Sequence, residues 1–136
     1  MNVLSLFDGM SCGQIALKEL NISVGTYYAS EIDRFAIAQT QLNFPNTIQI
    51  GDVKKVNVLD LQPKGISPAV LTNMSCGSHA VLDNFCIRRL TPTECARLQT
   101  IPEWYKWQCS NTQQYKMLGN GWTVEVIKHI FSYMIE

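Results

Sequence analysis

Charge is scarce in this chain: Asp, Glu, Lys and Arg make up 16% of its 136 residues, against about 25% in an average soluble protein. Eleven basic side chains balance eleven acidic ones, for a formal charge of zero. Residues 1–63 carry four basic and six acidic groups, residues 64–136 seven and five. A broad basic footprint for nucleic acid is thereby excluded, and any such contact has to be local. Long apolar runs are missing too. None approaches the roughly 20 residues that span a bilayer, so no membrane partner is expected. The start Met1-Asn2-Val3-Leu4-Ser5-Leu6-Phe7-Asp8 has no basic group before its first carboxylate, unlike a signal peptide. There is no C-x-x-C pair, and the five cysteines (Cys12, Cys76, Cys86, Cys95, Cys109) are odd in number. Reduced thiols in a cytoplasmic protein are expected rather than a disulfide framework. Cys76 and His79 would make half a zinc site, and with no second pair nearby no metal is expected.

What is present is apolar: 46% of residues are hydrophobic, enough for the core of one domain. Val3 to Phe7 is a β-forming run, Asp8 to Gly13 a glycine-containing turn, and Gln14 to Leu20 resumes with helical spacing. Val24 to Ser30 is a second strand. Asp33 caps a helix carrying Phe35, Ala36, Ile37, Ala38 and Leu42 that stops at Phe44-Pro45. Thr47 to Ile50 is a third strand. Strand–helix–strand–helix–strand predicts an α/β fold built on a parallel, doubly wound sheet. Beyond Asp52 the alternation stops. Lys54 to Leu61 reads as a turn or short helix and Gln62 to Gly65 as a loop. Pro68 to Asn73 and Ala80 to Leu82 read as short extended pieces around a turn at Ser75 to Ser78. Thr91-Pro92-Thr93-Glu94 is a capping box opening a helix to about Gln99. Thr123 to Ile135 is an amphipathic helix with Val124, Ile127, Ile130, Phe131 and Met134 on one face.

Three strand ends carry chemistry. Asp8-Gly9 follows strand one, where a glycine turn lets backbone approach a ligand. Glu31 ends strand two, 22 positions after Gly9, near the roughly 20-residue spacing at which a carboxylate meets ribose hydroxyls. Asp52 ends strand three. All would lie along the carboxyl edge of one sheet, where open α/β sheets bind ligands. Spacing alone leaves two readings open: a nucleoside site, or carboxylates stabilising helix N-termini. Likewise Arg88, Arg89, Lys106 and Lys116, with Trp104 and Trp107, admit a nucleic-acid surface or a structural cluster. The structural reading is favoured, and any DNA contact by the chain alone is expected to be weak and salt-sensitive.

The segment Val3-Leu4-Ser5-Leu6-Phe7-Asp8-Gly9-Met10-Ser11-Cys12-Gly13 closely resembles the first motif of DNA (cytosine-5) methyltransferases. Ser30-Glu31-Ile32-Asp33 resembles the second and Gly51-Asp52-Val53 the third. Arg88 to Gln99 resembles the ninth, and Met117-Leu118-Gly119-Asn120-Gly121-Trp122-Thr123-Val124 the tenth. The resemblance implies a reduced Rossmann-like methyltransferase fold with a helical carboxyl-terminal portion, and S-adenosylmethionine as cofactor. Phe7, Asp8 and Gly9 would line its amino-acid and ribose parts, with Glu31 on the ribose hydroxyls. Ile32 would pack on the adenine, with Asp52 and Val53 at its edge. Asn120, Gly121 and Trp122 would close over the methionine moiety. One truncated domain is implied: 1–61 as the cofactor half, 62–116 as a remnant of the small domain, and 117–136 returning to the site.

The departure from the family is an internal gap. The family's Pro-Cys nucleophile, its Glu-Asn-Val motif and its DNA-reading region have no counterpart here, so no catalytic residue is assigned. The resemblance thus implies a cofactor-binding protein that does not methylate DNA alone. Two alternatives stand beside it: one component of a working methyltransferase completed by another chain, and a non-enzymatic interaction module. The family's fourth strand is missing too, which would leave strand one as an apolar edge. A homodimer, a complementing chain, or strand replacement by residues near Pro68 to Asn73 is expected to cover it.

Overall fold

The computed structural model describes residues 1–56, 66–68, 80–83 and 86–134. The expected alternation is there. Strand β1 (Asn2–Leu6) leads to helix α1 (Cys12–Glu19), β2 (Tyr27–Ser30) to α2 (Arg34–Asn43), and β3 (Ile48–Gln49) to a single 3-10 turn, Val53–Lys55. Then come β4 (Ile66–Pro68), a β5–β6 hairpin (Ala80–Asp83, Cys86–Arg89), and helices α3 (Pro92–Leu98), α4 (Asn111–Asn120) and α5 (Val124–Ser132). The loop expected at 62–65 and the turn at 75–78, with Cys76 and His79, lie outside the described residues. Helix α4 was not anticipated, because its polar opening Asn111-Thr112-Gln113-Gln114 shows no apolar stripe.

The main sheet has the order β3-β2-β1-β4 and is parallel throughout. β1 pairs with β2 from Val3↔Tyr27 to Leu6↔Ser30. On its other side the expected open edge is covered: Asn2 pairs with Ile66, Val3 with Ser67 and Leu4 with Pro68. Strand replacement from within the chain therefore occurs at Ile66–Pro68; residues 69–73 of the expected stretch lie outside the described residues.

Helix α1 lies at the centre. Leu17 joins Val3, Tyr27 and Ala29 in a cluster against the sheet. Cys12, Ile15 and Ala16 face a second cluster with Met117, Leu118, Val124 and Ile127 from α4 and α5. Phe131 touches both clusters. The stripe expected on α5 is narrower than its sequence pattern. Val124 and Ile127 are buried, but Ile130 is 43% and Met134 53% exposed. The buried face of α2 also differs from expectation. Gln39 and Thr40 are buried while Leu42 is exposed, since Gln39 bonds to Lys106 O and Gln108 N–H. The α3 capping box forms as read: Thr91 N–H donates to Glu94 at 2.8 Å and Glu94 N–H to Thr91 Oγ1 at 3.3 Å.

Candidate functional site

The bend after β1 is held in strained backbone. Phe7 (φ 56°), Gly9 (φ 58°) and Ser11 (φ 64°) are left-handed, which costs an L side chain about 1–2 kcal/mol. Neighbouring elements hold it there. Asp8 N–H donates to Ser30 O at 3.1 Å and Ser11 N–H to Asp8 O at 3.0 Å. The Thr40 hydroxyl donates to Gly9 O at 3.2 Å. Strain fixed in this way concentrates at functional sites.

The Asp8 carboxylate turns under the bend, where it accepts the Tyr27 hydroxyl at 2.9 Å and the Ser11 hydroxyl. Burial pushes its pKa up, against the lowering effect of these hydroxyls and of Ser5. Burial and the Asp8 charge push Tyr27 well up as well. Gly13 makes room for this pair, since a Cβ there would sit 3.1 Å from the Tyr27 hydroxyl. Asp8 thus supports the bend from inside.

Glu31 joins two strand ends. One carboxylate oxygen accepts Gly9 N–H at 2.8 Å, and the other accepts Ile32 N–H at 2.7 Å and Asp33 N–H at 2.9 Å. A carboxylate has about four acceptor positions, so three donors orient it and leave capacity for a ligand hydroxyl. The third strand end is tied to the second by the Ser30 hydroxyl, 2.8 Å from Gly51 O. Asp52 Oδ1 caps the 3-10 turn by accepting Lys54 N–H at 3.0 Å. Glu31 thus binds main-chain N–H groups just ahead of α2, whose N-cap is Asp33, and Asp52 is the N-cap of the 3-10 turn.

The carboxyl-terminal loop reaches the same place. Trp122 N–H donates to the Cys12 thiol at the start of α1. Gly121 is required by this approach: an added Cβ would lie 3.0 Å from Met117 O and 3.3 Å from Cys12 Sγ. Burial pushes Cys12 up to about 12, so it is a neutral, unreactive thiol. From α4, Lys116 forms an ion pair with Asp33, the N-cap of α2. That pairing draws α4 toward the second strand end, and hydropathy gave no sign of it.

The surroundings suit a nucleoside. Gly9 (φ 58°) and Gly51 (φ 75°) each leave open space where a side chain would stand, with nothing within 4 Å. Phe7 is 63% and Ile32 75% exposed, offering apolar faces beside carboxylates that accept O–H and N–H donors. Val53 lies within the 3-10 turn and Asn120 is the exposed last residue of α4.

Trp104 and Trp107 belong elsewhere. Trp104 donates to Glu19 at 2.7 Å beneath the Lys18 ammonium, and meets Phe44 edge-on. Trp107 packs on Tyr105, whose hydroxyl donates to Met10 O at 2.8 Å. They fasten residues 104–108 to α1 and α2.

Residues 64–136, more than half of the chain, match the family model for C-5 cytosine-specific DNA methylase. The chain belongs to that family. It is 36% identical over 76 residues to the type II methyltransferase M.BanI of Aneurinibacillus aneurinilyticus, covering 56% of this chain and 18% of that protein. It is 35% identical over 77 residues to the type II methyltransferase M.AluI of Cellulosimicrobium cellulans, covering 54% and 15% respectively. With the orphan methyltransferase M.SPRI of Bacillus phage SPR it shares 44% over 54 residues, 36% of this chain and 12% of the relative. The matched stretch thus spans under a fifth of each relative. The fold is that of the S. pombe Dnmt2 methyltransferase crystal structure, with a TM-score of 0.74 at 12% identity over 99% of this chain and 98% of that one. The family match begins after β3, and the likeness of fold extends over the segments of the first three motifs as well. Among the described residues no helix is long and apolar enough to cross a membrane, and no group of His, Cys, Asp and Glu could hold a metal ion.

Proposed function

We propose that this methyltransferase-family chain binds S-adenosylmethionine at the carboxyl edge of β1–β3 and does not methylate DNA by itself. The observation that carries this reading is Glu31, held by three backbone N–H groups between the Gly9 bend and α2. It stands beside the open glycines Gly9 and Gly51 and the exposed faces of Phe7 and Ile32. Glu31 would take the ribose hydroxyls, Ile32 the adenine face, and Asp52 with Val53 the adenine edge. Phe7, Asp8 and Gly9 would shape the wall along the amino-acid part, with Asn120, Gly121 and Trp122 closing over it. The cofactor supplies an electrophilic methyl group. The sequence holds no Pro-Cys, and the Cys12 thiol is buried. In this reading residues 1–61 form the cofactor half, 62–116 a small-domain remnant, and 117–136 the return to the site. DNA is the family's partner, and binding of DNA by this near-neutral chain alone would be weak.

The test is calorimetric titration of the chain with S-adenosylmethionine beside Glu31→Ala, together with transfer of labelled methyl to DNA. Saturable binding, weakened at least about tenfold by the substitution, with no transfer, is the expected result. A folded chain that does not bind would overturn the cofactor reading, and turnover by the chain alone would overturn the inactivity.

A second reading, completion by another chain, is favoured by exposed apolar side chains on α5 and just beyond its end: Val126, Ile130, Tyr133 and Met134. Methyl transfer regained on adding a chain with the Pro-Cys motif would support it. Light scattering on the chain alone separates a homodimer from this case.

A further inference from the structure

Gln99, the C-cap of α3, lies outside every residue assigned above to the cofactor site. Its side-chain Nε2 donates to Leu118 O at 3.1 Å, and its Oε1 accepts the Thr123 hydroxyl at 2.8 Å. Its main-chain O accepts Val124 N–H at 3.0 Å. Leu118 O is among the last carbonyls of α4, which have no partner within the helix, and Thr123 is the N-cap of α5. One amide therefore links the end of α4 to the start of α5 across the connection at 121–123. The next residue continues the grip: Thr100, at φ 54°, accepts Glu125 N–H on its hydroxyl at 2.9 Å. On the opposite side the loop is pressed to α1 through Trp122 N–H and the Cys12 thiol, with Gly121 at the tight approach.

We infer that Gln99 is a positioning residue for the Asn120-Gly121-Trp122 edge of the site. Both sides of its amide are used, so neither a carboxylate nor an aliphatic side chain reproduces its role. Loop ends fixed before the ligand arrives leave less ordering to be done on binding, and affinity rises accordingly. The ninth-motif segment of this chain thus acts on the tenth-motif segment. The inference rests on the cofactor reading proposed above.

Calorimetry with S-adenosylmethionine is run on the parent chain and on Gln99→Glu, Thr123→Val and Thr123→Ser, with circular dichroism on each. Gln99→Glu keeps the acceptor for Thr123 but loses the donor to Leu118 O, and Thr123→Val loses the hydroxyl. Each is expected to weaken binding about tenfold, the value of one hydrogen bond, while Thr123→Ser restores parental affinity. The inference is overturned if the parent binds and Gln99→Glu binds equally well, or if Thr123→Ser fails as Thr123→Val does. Should Gln99→Glu not fold, the Thr123 pair decides. A folded parent that does not bind removes this role together with the cofactor reading, and the parent titration tells that outcome apart from failure of the inference alone.

Discussion

Glu31 accepts the Gly9 N–H at 2.8 Å, so the ends of β1 and β2 are joined by a side chain where the sheet ladder stops. Gln at this position keeps the shape but has one acceptor oxygen and turns an NH2 toward backbone N–H groups. Glu31→Gln is expected to destabilise the chain by about 1–2 kcal/mol, since hydrogen bonds to charged groups are worth more than neutral ones. Urea denaturation would show it, and an unchanged midpoint would mean that water replaces the carboxylate.

Two glycines should respond differently to the same methyl group. At Gly9 a Cβ meets nothing within 4 Å but the backbone is left-handed. Gly9→Ala should cost about 1–2 kcal/mol through conformation alone, and should intrude on the ligand space. At Gly121 the backbone is ordinary extended chain (φ −82°), but the Cβ would lie 3.0 Å from Met117 O. Gly121→Ala should cost about 1–3 kcal/mol through overpacking. Cys12→Ala should recover part of the Gly121→Ala loss and none of the Gly9→Ala loss, as read by double-mutant melts.

Asp8 gives an inverted pH response. Its pKa is raised in the folded chain from 3.8, so between 3.8 and the folded value the native state holds more protons than the unfolded one. Its contribution to stability therefore grows as pH falls through that window, and is lost as pH rises through the folded pKa. Subtracting the stability–pH curve of Asp8→Asn from the parental curve should isolate this slope. A flat difference would show the carboxylate to be solvated.

Asp33 works the other way. The Lys116 hydrogen bond and charge, with Phe35 N–H, hold its carboxyl below 3.8. That stability is present above 3.8 and is lost as pH falls through the lowered value. Lys116 is 57% exposed, so Lys116→Met should cost under about 1 kcal/mol and nothing at high salt. Thermal melts at low and high ionic strength check both.

Burial separates two isoleucines. Ile15 is fully buried between α1 and the carboxyl-terminal helices, and Ile130 is 43% exposed. Ile15→Ala should cost about 2–5 kcal/mol, and Ile130→Ala within about 0.5 kcal/mol. A large Ile130→Ala loss, measured by denaturation, would mean that another surface covers α5.

The sequence by itself determined the features written in neighbouring residues. The strand–bend–helix around Gly9, the Asp33 cap and the Thr91–Glu94 capping box follow from turn chemistry and spacing within a few positions. The placing of Glu31 and Asp52 at strand ends follows too, because each closes an apolar run. Tertiary structure decided whatever depends on distant partners. Pro68 reaches β1 only through the sheet, and Gln39 is buried only because Lys106 O arrives beside it. Trp104 stays with α1 because Glu19 and Lys18 receive it. Gln99 looks like any helix-terminal amide until α4 and α5 bring Leu118 O and the Thr123 hydroxyl to its two sides. Local propensity carries no record of such meetings, since a side chain's partners are set by which elements pack together.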